Sequence, residues 1–159
     1  MITYLNSIGV GSNGAVTTND AAAATVVANS VNTEITKFNE LKYFTSITES
    51  KGGYTGTVSG YVRFDGWTAL EEVDISNFTS IGHYHSYGYE DTFHNCTSLK
   101  KVTASDKLTK IGHFAFNGCI NLEDIVDENG NPALSGIITL SRSAFYNCAK
   151  LKNSNFTNC

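Results

Sequence analysis

The sequence predicts an α/β repeat solenoid of short parallel strands preceded by an N-terminal helical cap, and three observations carry that expectation. Four segments repeat an aromatic, two small or polar residues, a Cys or Trp, and three positions later a Leu: Phe64-Asp-Gly-Trp67 to Leu70, Phe93-His-Asn-Cys96 to Leu99, Phe116-Asn-Gly-Cys119 to Leu122, and Phe145-Tyr-Asn-Cys148 to Leu151. The Phe positions step by 29, 23 and 29 residues and the Leu positions step with them. A constant register at such a period marks a stacked array. Behind each Leu the chain runs Leu70-x-x-Val73-x-Ile75, Leu99-x-x-Val102-x-Ala104, Leu122-x-x-Ile125-Val126 and, more loosely, Leu151-x-x-Ser154-x-Phe156. Residues four and six then share one face, as alternation along a strand requires.

Taken in order, Ile2–Leu5 is strand-like and opens a polar, Gly-rich stretch that reaches Thr18. Asp20 to Ala28 is a good helix former, capped by Asn19 or Asp20. Ile35, Phe38, Leu41 and Phe44 step by three, which suits a helix or successive solenoid corners. Residues 1–44 are therefore expected to form a cap over the first repeat. Residues 45–159 hold about four repeats with insertions, each led in by a Thr-x-Ile type segment: Thr45-Ser-Ile47, Thr79-Ser-Ile81, Thr109-Lys-Ile111 and Ile138-Thr-Leu140. Each unit is a short strand plus a one-turn helix or tight turn that buries nothing by itself.

Composition narrows the function. At 159 residues and 41% hydrophobic content the chain supports one domain with a core. A net charge of −4, with 11 Lys and Arg spread along the chain, supplies no basic stripe for nucleic acid. No apolar run approaches the roughly 20 residues of a membrane span, and no signal peptide is visible, so membrane insertion is not expected. Cys96, Cys119 and Cys148 share one repeat position and should stack as small buried thiols about one strand spacing apart, roughly 4.8 Å, which is poor disulfide geometry. Cys159 lies off this row and is expected to be exposed and reactive.

The Ile-Gly-x-x-Ala-Phe-x-x-Cys-x-x-Leu-x-x-Ile pattern resembles the BspA-type leucine-rich repeats of Bacteroidetes surface proteins. Leu108-Thr-Lys-Ile-Gly112, Ala115-Phe-Asn-Gly-Cys119 and Leu122-x-x-Ile125 follow it almost position by position, and Ser143-Ala-Phe-Tyr-Asn-Cys148 nearly so. The chain departs from the pattern where Trp67 replaces the first Cys and where the usual Pro after the strand is missing. The resemblance spans about 33–156 and implies a leucine-rich-repeat solenoid used for adhesion or ligand binding rather than catalysis. Similar repeats look like modules of gut-phage structural proteins, so a virion component used in attachment or assembly is the alternative. The setting implied is extracellular, on a cell surface or on a virion.

Insertions beyond the 23-residue unit are candidate binding surface. The first is Thr48–Gly60, Gly- and Ser-rich; the third is the acidic turn Asp127–Pro132. The second, Gly82–Asp91, gathers His83, Tyr84, His85, Tyr87 and Tyr89 among Ser and Gly. Tyr set among small residues is paratope-like chemistry and also suits sugar stacking, with packing onto neighbouring insertions as the competing reading. The expected partners are a protein or glycan on a cell surface, or other virion subunits. A homo-oligomer through the C-terminal end is a further expectation, because the sequence carries no polar final cap after the fourth Leu.

Other motifs are weaker. Gly9-x-Gly11-x-x-Gly14 copies a dinucleotide fingerprint, with Glu34 about 20 residues on, but leads into repeats rather than a βαβ unit. Asn13 to Asp20 resembles a calcium loop in which Gly9 and Gly11 occupy the first carboxylate positions. Asn13, Thr17 and Asp20 alone are too few hard ligands, so neither metal nor cofactor is expected. His83, His85, His94 and His113 lack zinc spacing, no Gly-x-Ser-x-Gly is present, and Glu71-Glu72 alternate across a strand, so an enzyme is not expected. The Asn-x-Thr triplets at Asn77, Asn95 and Asn155 match the glycosylation acceptor, but two sit inside repeat elements and are read as turn chemistry.

Overall fold

The computed structural model describes residues 2–7, 10–11, 14–24, 26–27, 32–47, 61–82 and 92–152. Its elements are helices α1 (Ile2–Ser7) and α2 (Thr18–Ala23), strand β1 (Val26–Val27), strand β2 (Lys37–Phe38) running into a 3₁₀ turn (Asn39–Tyr43), and strands β3 (Tyr61–Val62), β4 (Glu72–Asp74), β5 (Ser80–Ile81), β6 (Lys101–Thr103), β7 (Lys110–Ile111), β8 (Asp124–Val126) and β9 (Thr139–Leu140). All the strand pairs are parallel. One sheet has the order β2-β4-β6-β8, a second β5-β7-β9, and β1 pairs with β3. The α/β repeat of short parallel strands is thus present as expected.

Register follows the repeat. Phe38, Val73, Val102 and Ile125 lie side by side in the first sheet, and Ile81, Ile111 and Leu140 in the second. Between them each repeat turns a corner on the aromatic. Trp67 N–H donates to Phe64 O, Cys96 to Phe93, Cys119 to Phe116 and Cys148 to Phe145, at 3.0–3.1 Å. A second turn then closes from each Leu N–H onto the Trp or Cys carbonyl. Of the two expected forms, one-turn helix or tight turn, the structure has the latter, as two consecutive tight turns. Their third residue, Gly66, Asn95, Gly118 or Asn147, has φ between 56° and 76°. Gly and Asn adopt that left-handed geometry at lower cost than other residues, which accounts for their recurrence at this position. The two also alternate for space: a Cβ on Gly118 would overlap Asn95 Oδ1 of the preceding repeat.

The core is one cluster. Phe64, Phe93, Phe116 and Phe145 form a column of parallel rings with centroids 5.1, 5.2 and 5.3 Å apart and interplanar angles of 8° or less. Leu70, Leu99 and Leu122 are fully buried beside it, and Phe78, Leu108 and Ile137 fill the second corner. Since burying such a side chain is worth about 1.5–3 kcal/mol, stacking rather than local propensity holds these two- and three-residue strands.

Four expectations change. Ile2–Leu5 is not strand-like: it lies in α1, where Leu5 is buried and Tyr4 packs edge-on against Trp67 at 5.3 Å. The predicted helix over 20–28 is shorter and earlier, Thr18–Ala23, and its cap is Thr17 rather than Asn19 or Asp20. The β-branched pair Val26–Val27 leaves the helix to pair with Tyr61–Val62. The step of three over Ile35 to Phe44 resolves into β2 and a 3₁₀ turn, whose three residues per turn match it. The repeat sheet accordingly starts at Lys37, inside the segment expected to be cap. The strand expected at Leu151–Phe156 is described only to Lys152, whose N–H donates to Glu123 O and continues the ladder.

Candidate functional site

His83, Tyr84, His85, Tyr87 and Tyr89 lie outside the described residues, as do Asn13, Cys159 and all of the first insertion, Thr48–Gly60. The base from which the Tyr-His loop leaves is described. Gly82 N–H donates to the hydroxyl of buried Thr92 at 2.9 Å, so the two ends of the excursion are clasped to each other. Thr92 O in turn accepts from Phe64 N–H at 2.7 Å, tying the clasp to the aromatic column. Gly82 has φ +78°, and a Cβ there would come within 2.9 Å of Ala115 Cβ and 3.0 Å of Gly112 Cα. The Ile-Gly pairs of adjacent repeats therefore stack glycine on glycine, which explains the Gly that opens the loop.

Beside this clasp lies a polar cluster that the motif reading did not single out. Asp65 accepts from Arg63 Nη2 at 2.7 Å and lies 2.9 Å from His94 Nδ1 through its other oxygen. Asp65 and His94 occupy the same turn position in successive repeats, the residue after the column Phe, and Asn117 and Tyr146 continue the row. Backbone bonds hold it in register: His94 O accepts from Gly66 N–H, Asn117 O from Asn95 N–H and Tyr146 O from Gly118 N–H, at 2.8–2.9 Å. Asp65, His94 and Asn117 are half-buried and Tyr146 is 61% exposed. A sequence signal existed: between a constant Phe and a constant Gly or Asn, this one position varies.

The thiol row is internal. Cys96 Sγ donates to Phe64 O at 2.9 Å, Cys119 to Phe93 O at 3.0 Å and Cys148 to Phe116 O at 3.1 Å, each reaching the aromatic carbonyl of the preceding repeat. All three are free. Burial pushes the Cys96 and Cys119 thiols far above their ordinary value, and Cys148 up to about 11 from 9.0. The thiolate is the nucleophile, so these groups are poor candidates for covalent chemistry. In the native protein at pH 7.5, iodoacetamide should leave Cys96 and Cys119 unmodified and label Cys148 about a hundredfold more slowly than an ordinary thiol. Peptide mass spectrometry, with a urea-unfolded sample labelled at all three, checks this.

The outer side of the four-stranded sheet carries charges that alternate in sign across the strands. One row reads Lys37, Glu72, Lys101, Asp124 and the next Glu71, Lys100, Glu123, Lys152. Lys37–Glu72 and Lys152–Glu123 meet at 2.6 Å and Lys100–Glu71 at 3.1 Å. The hydrogen bond from Lys37 holds the Glu72 carboxyl below its ordinary value, and Lys152 does the same for Glu123. Exposed pairs of this kind stabilise little. Their alternation instead penalises a one-repeat slip, which would set like charges opposite each other.

In the calcium-like segment, Thr17 and Asp20 form a capping box for α2. Asp20 N–H donates to Thr17 Oγ1 at 3.2 Å, and Thr17 N–H and Oγ1–H donate to Asp20 Oδ2 at 2.8 and 2.7 Å. The Gly-rich loop ahead of it is organised by Asn6, whose side chain binds Val10 O, Ala15 O and Gly14 N–H. His113 Nδ1 faces Arg142 O at 3.4 Å. An apolar cavity of about 230 Å³ lies between the N-terminal helices and the 3₁₀ turn, lined by Leu5, Val16, Ala21, Tyr43 and Phe44. That is below the usual range for a small-molecule pocket, about 300–1,000 Å³.

Parallel strands stacked through a buried Leu row, with a tight turn on every Phe, define a leucine-rich repeat protein. The model of the BspA type leucine rich repeat region matches residues 28–126 and 89–159 in six copies, against about four counted from the Phe and Leu register. The chain belongs to that family. Leucine-rich repeats generally mediate protein binding or adhesion, and BspA-like ones are typically found on surface proteins. No curated protein and no solved structure matches the chain. Among the described residues no helix is long and apolar enough to cross a membrane.

Proposed function

We propose that this chain is a non-enzymatic recognition module that binds a protein or glycan on a cell surface, with the Tyr-His loop supplying the contacts. The observation that carries this reading is the buried clasp between Gly82 and Thr92, which ties the two ends of the Tyr-rich nine-residue segment 83–91 to a base fixed to the aromatic column. A rigid scaffold bearing inserted loops is the usual arrangement of a binding surface. The thiols of Cys96, Cys119 and Cys148 support the non-enzymatic part, since burial keeps them protonated. We further propose that the part of residues 1–44 ahead of β2 serves as the N-terminal cap, a reading supported by Tyr4 packing on Trp67.

Replacing Tyr84, Tyr87 and Tyr89 together with Ala is expected to abolish binding to cells or isolated ligand while shifting thermal unfolding little. The check pairs a cell-binding assay with calorimetry. Binding that survives the triple replacement would sink the proposal.

A further inference from the structure

We propose that the turn row Asp65, His94, Asn117 and Tyr146 is a second binding surface, a track for one linear, uncharged, β-linked glycan chain with one sugar ring per repeat. The inference rests on the recognition reading above but names different residues and commits to a ligand class.

Four observations lead to it. The neighbours of this position are held constant by packing: a stacked Phe before it, a left-handed Gly or Asn after it, then Cys or Trp. The position itself is free of those constraints, yet in all four repeats it holds a side chain able to make hydrogen bonds. Secondly, the backbone bonds from Gly66, Asn95 and Gly118 onto the carbonyls of His94, Asn117 and Tyr146 lock the four residues at one per repeat without adjustable loops. Such preorganisation lowers the ordering cost of binding.

Thirdly, the chemistry suits hydroxyls and sugar faces. Asp65 is neutralised by Arg63 and oriented against His94 Nδ1, which turns the other imidazole nitrogen away from the carboxylate. Asn117 offers an amide with both donors and acceptors, and Tyr146 an exposed ring carrying a hydroxyl. A row of planar groups ending in an aromatic face matches a ligand whose rings have apolar C–H faces and hydroxyl edges.

The fourth observation is the step. The adjoining phenylalanine column advances 5.1–5.3 Å per repeat, close to the length of one pyranose ring in an extended chain. An extended peptide returns side chains to one face only every roughly 6.6 Å, so it would fall out of register along four positions. A nucleic acid strand is opposed by the net charge of −4.

The test is titration calorimetry of the full chain with cello- and chito-oligosaccharides of two to six rings. Affinity is expected to rise with length through four rings and then flatten. Tyr146→Ala and Asn117→Ala should each weaken binding by about tenfold or more, with an unchanged urea midpoint because neither side chain is in the core. Silence of both series at millimolar concentration, or equal binding by the ridge variants, overturns the track. If the loop replacement still abolishes cell binding in that case, the proposed function stands without the ridge. If neither set of replacements affects binding, both fall.

Discussion

Phe93→Ala is expected to be among the most damaging single substitutions, costing about 3–5 kcal/mol and lowering the thermal midpoint by on the order of 10 °C. Phe93 is fully buried and sandwiched at 5.1 Å from Phe64 and 5.2 Å from Phe116. Its truncation leaves a cavity walled by both rings, and neither can close it, because each is pinned by its own turn and by a backbone bond to the next repeat. Phe145→Ala should cost clearly less, since Phe145 is only half-buried and stacks on one described ring, Phe116. Urea denaturation of both variants checks the comparison. Equal losses at the two sites would show that the column does not act as a stack.

Trp67→Cys is the second large effect, and its sign runs against the repeat. The other three copies carry Cys here, so restoring the common residue looks conservative. The expected result is a loss of roughly 3–4 kcal/mol. In later repeats the thiol donates to the Phe carbonyl one repeat below, as Cys96 does to Phe64 O. Beneath Trp67 lies β2 instead, and the indole fills that space: it stacks on Phe38 at 6.4 Å and 9°, and meets Phe64 at 4.9 Å and Tyr4 at 5.3 Å edge-on. A thiol would leave those three rings facing a void. Because Trp67 is the only tryptophan, unfolding of the variant is followed by circular dichroism rather than fluorescence. A midpoint equal to that of the parent would mean that the N-terminal segment does not depend on Trp67.

Both effects bear on what a single sequence reveals. The Phe, Cys and Leu positions were legible because each repeat buries the same atoms against its neighbour, so packing enforces one residue type per position. The Gly or Asn after the varying position was visible as small or polar, but its cause, a left-handed backbone in every turn, needed the dihedral angles. The first 44 residues read less well. Local preference put a strand at Ile2–Leu5 and a longer helix after Asn19. Packing of Tyr4 and Leu5, and pairing of Val26–Val27 with a strand 35 residues away, overrode both.

The candidate site divides the same way. The Tyr-rich loop announces itself by composition. Its clasp does not, because Gly82 and Thr92 are ten residues apart and unremarkable until the fold closes them. Asp65, His94, Asn117 and Tyr146 are spread over 82 positions of the chain and become one surface only when three repeats are stacked upon the first. Periodicity by itself thus determined the repeat unit, the buried column and the family resemblance, since these depend on one residue type recurring at one place. Which side chains share a face across repeats, what the first repeat packs against and how each loop is anchored were decided by tertiary structure alone, because those contacts join residues that no local spacing connects.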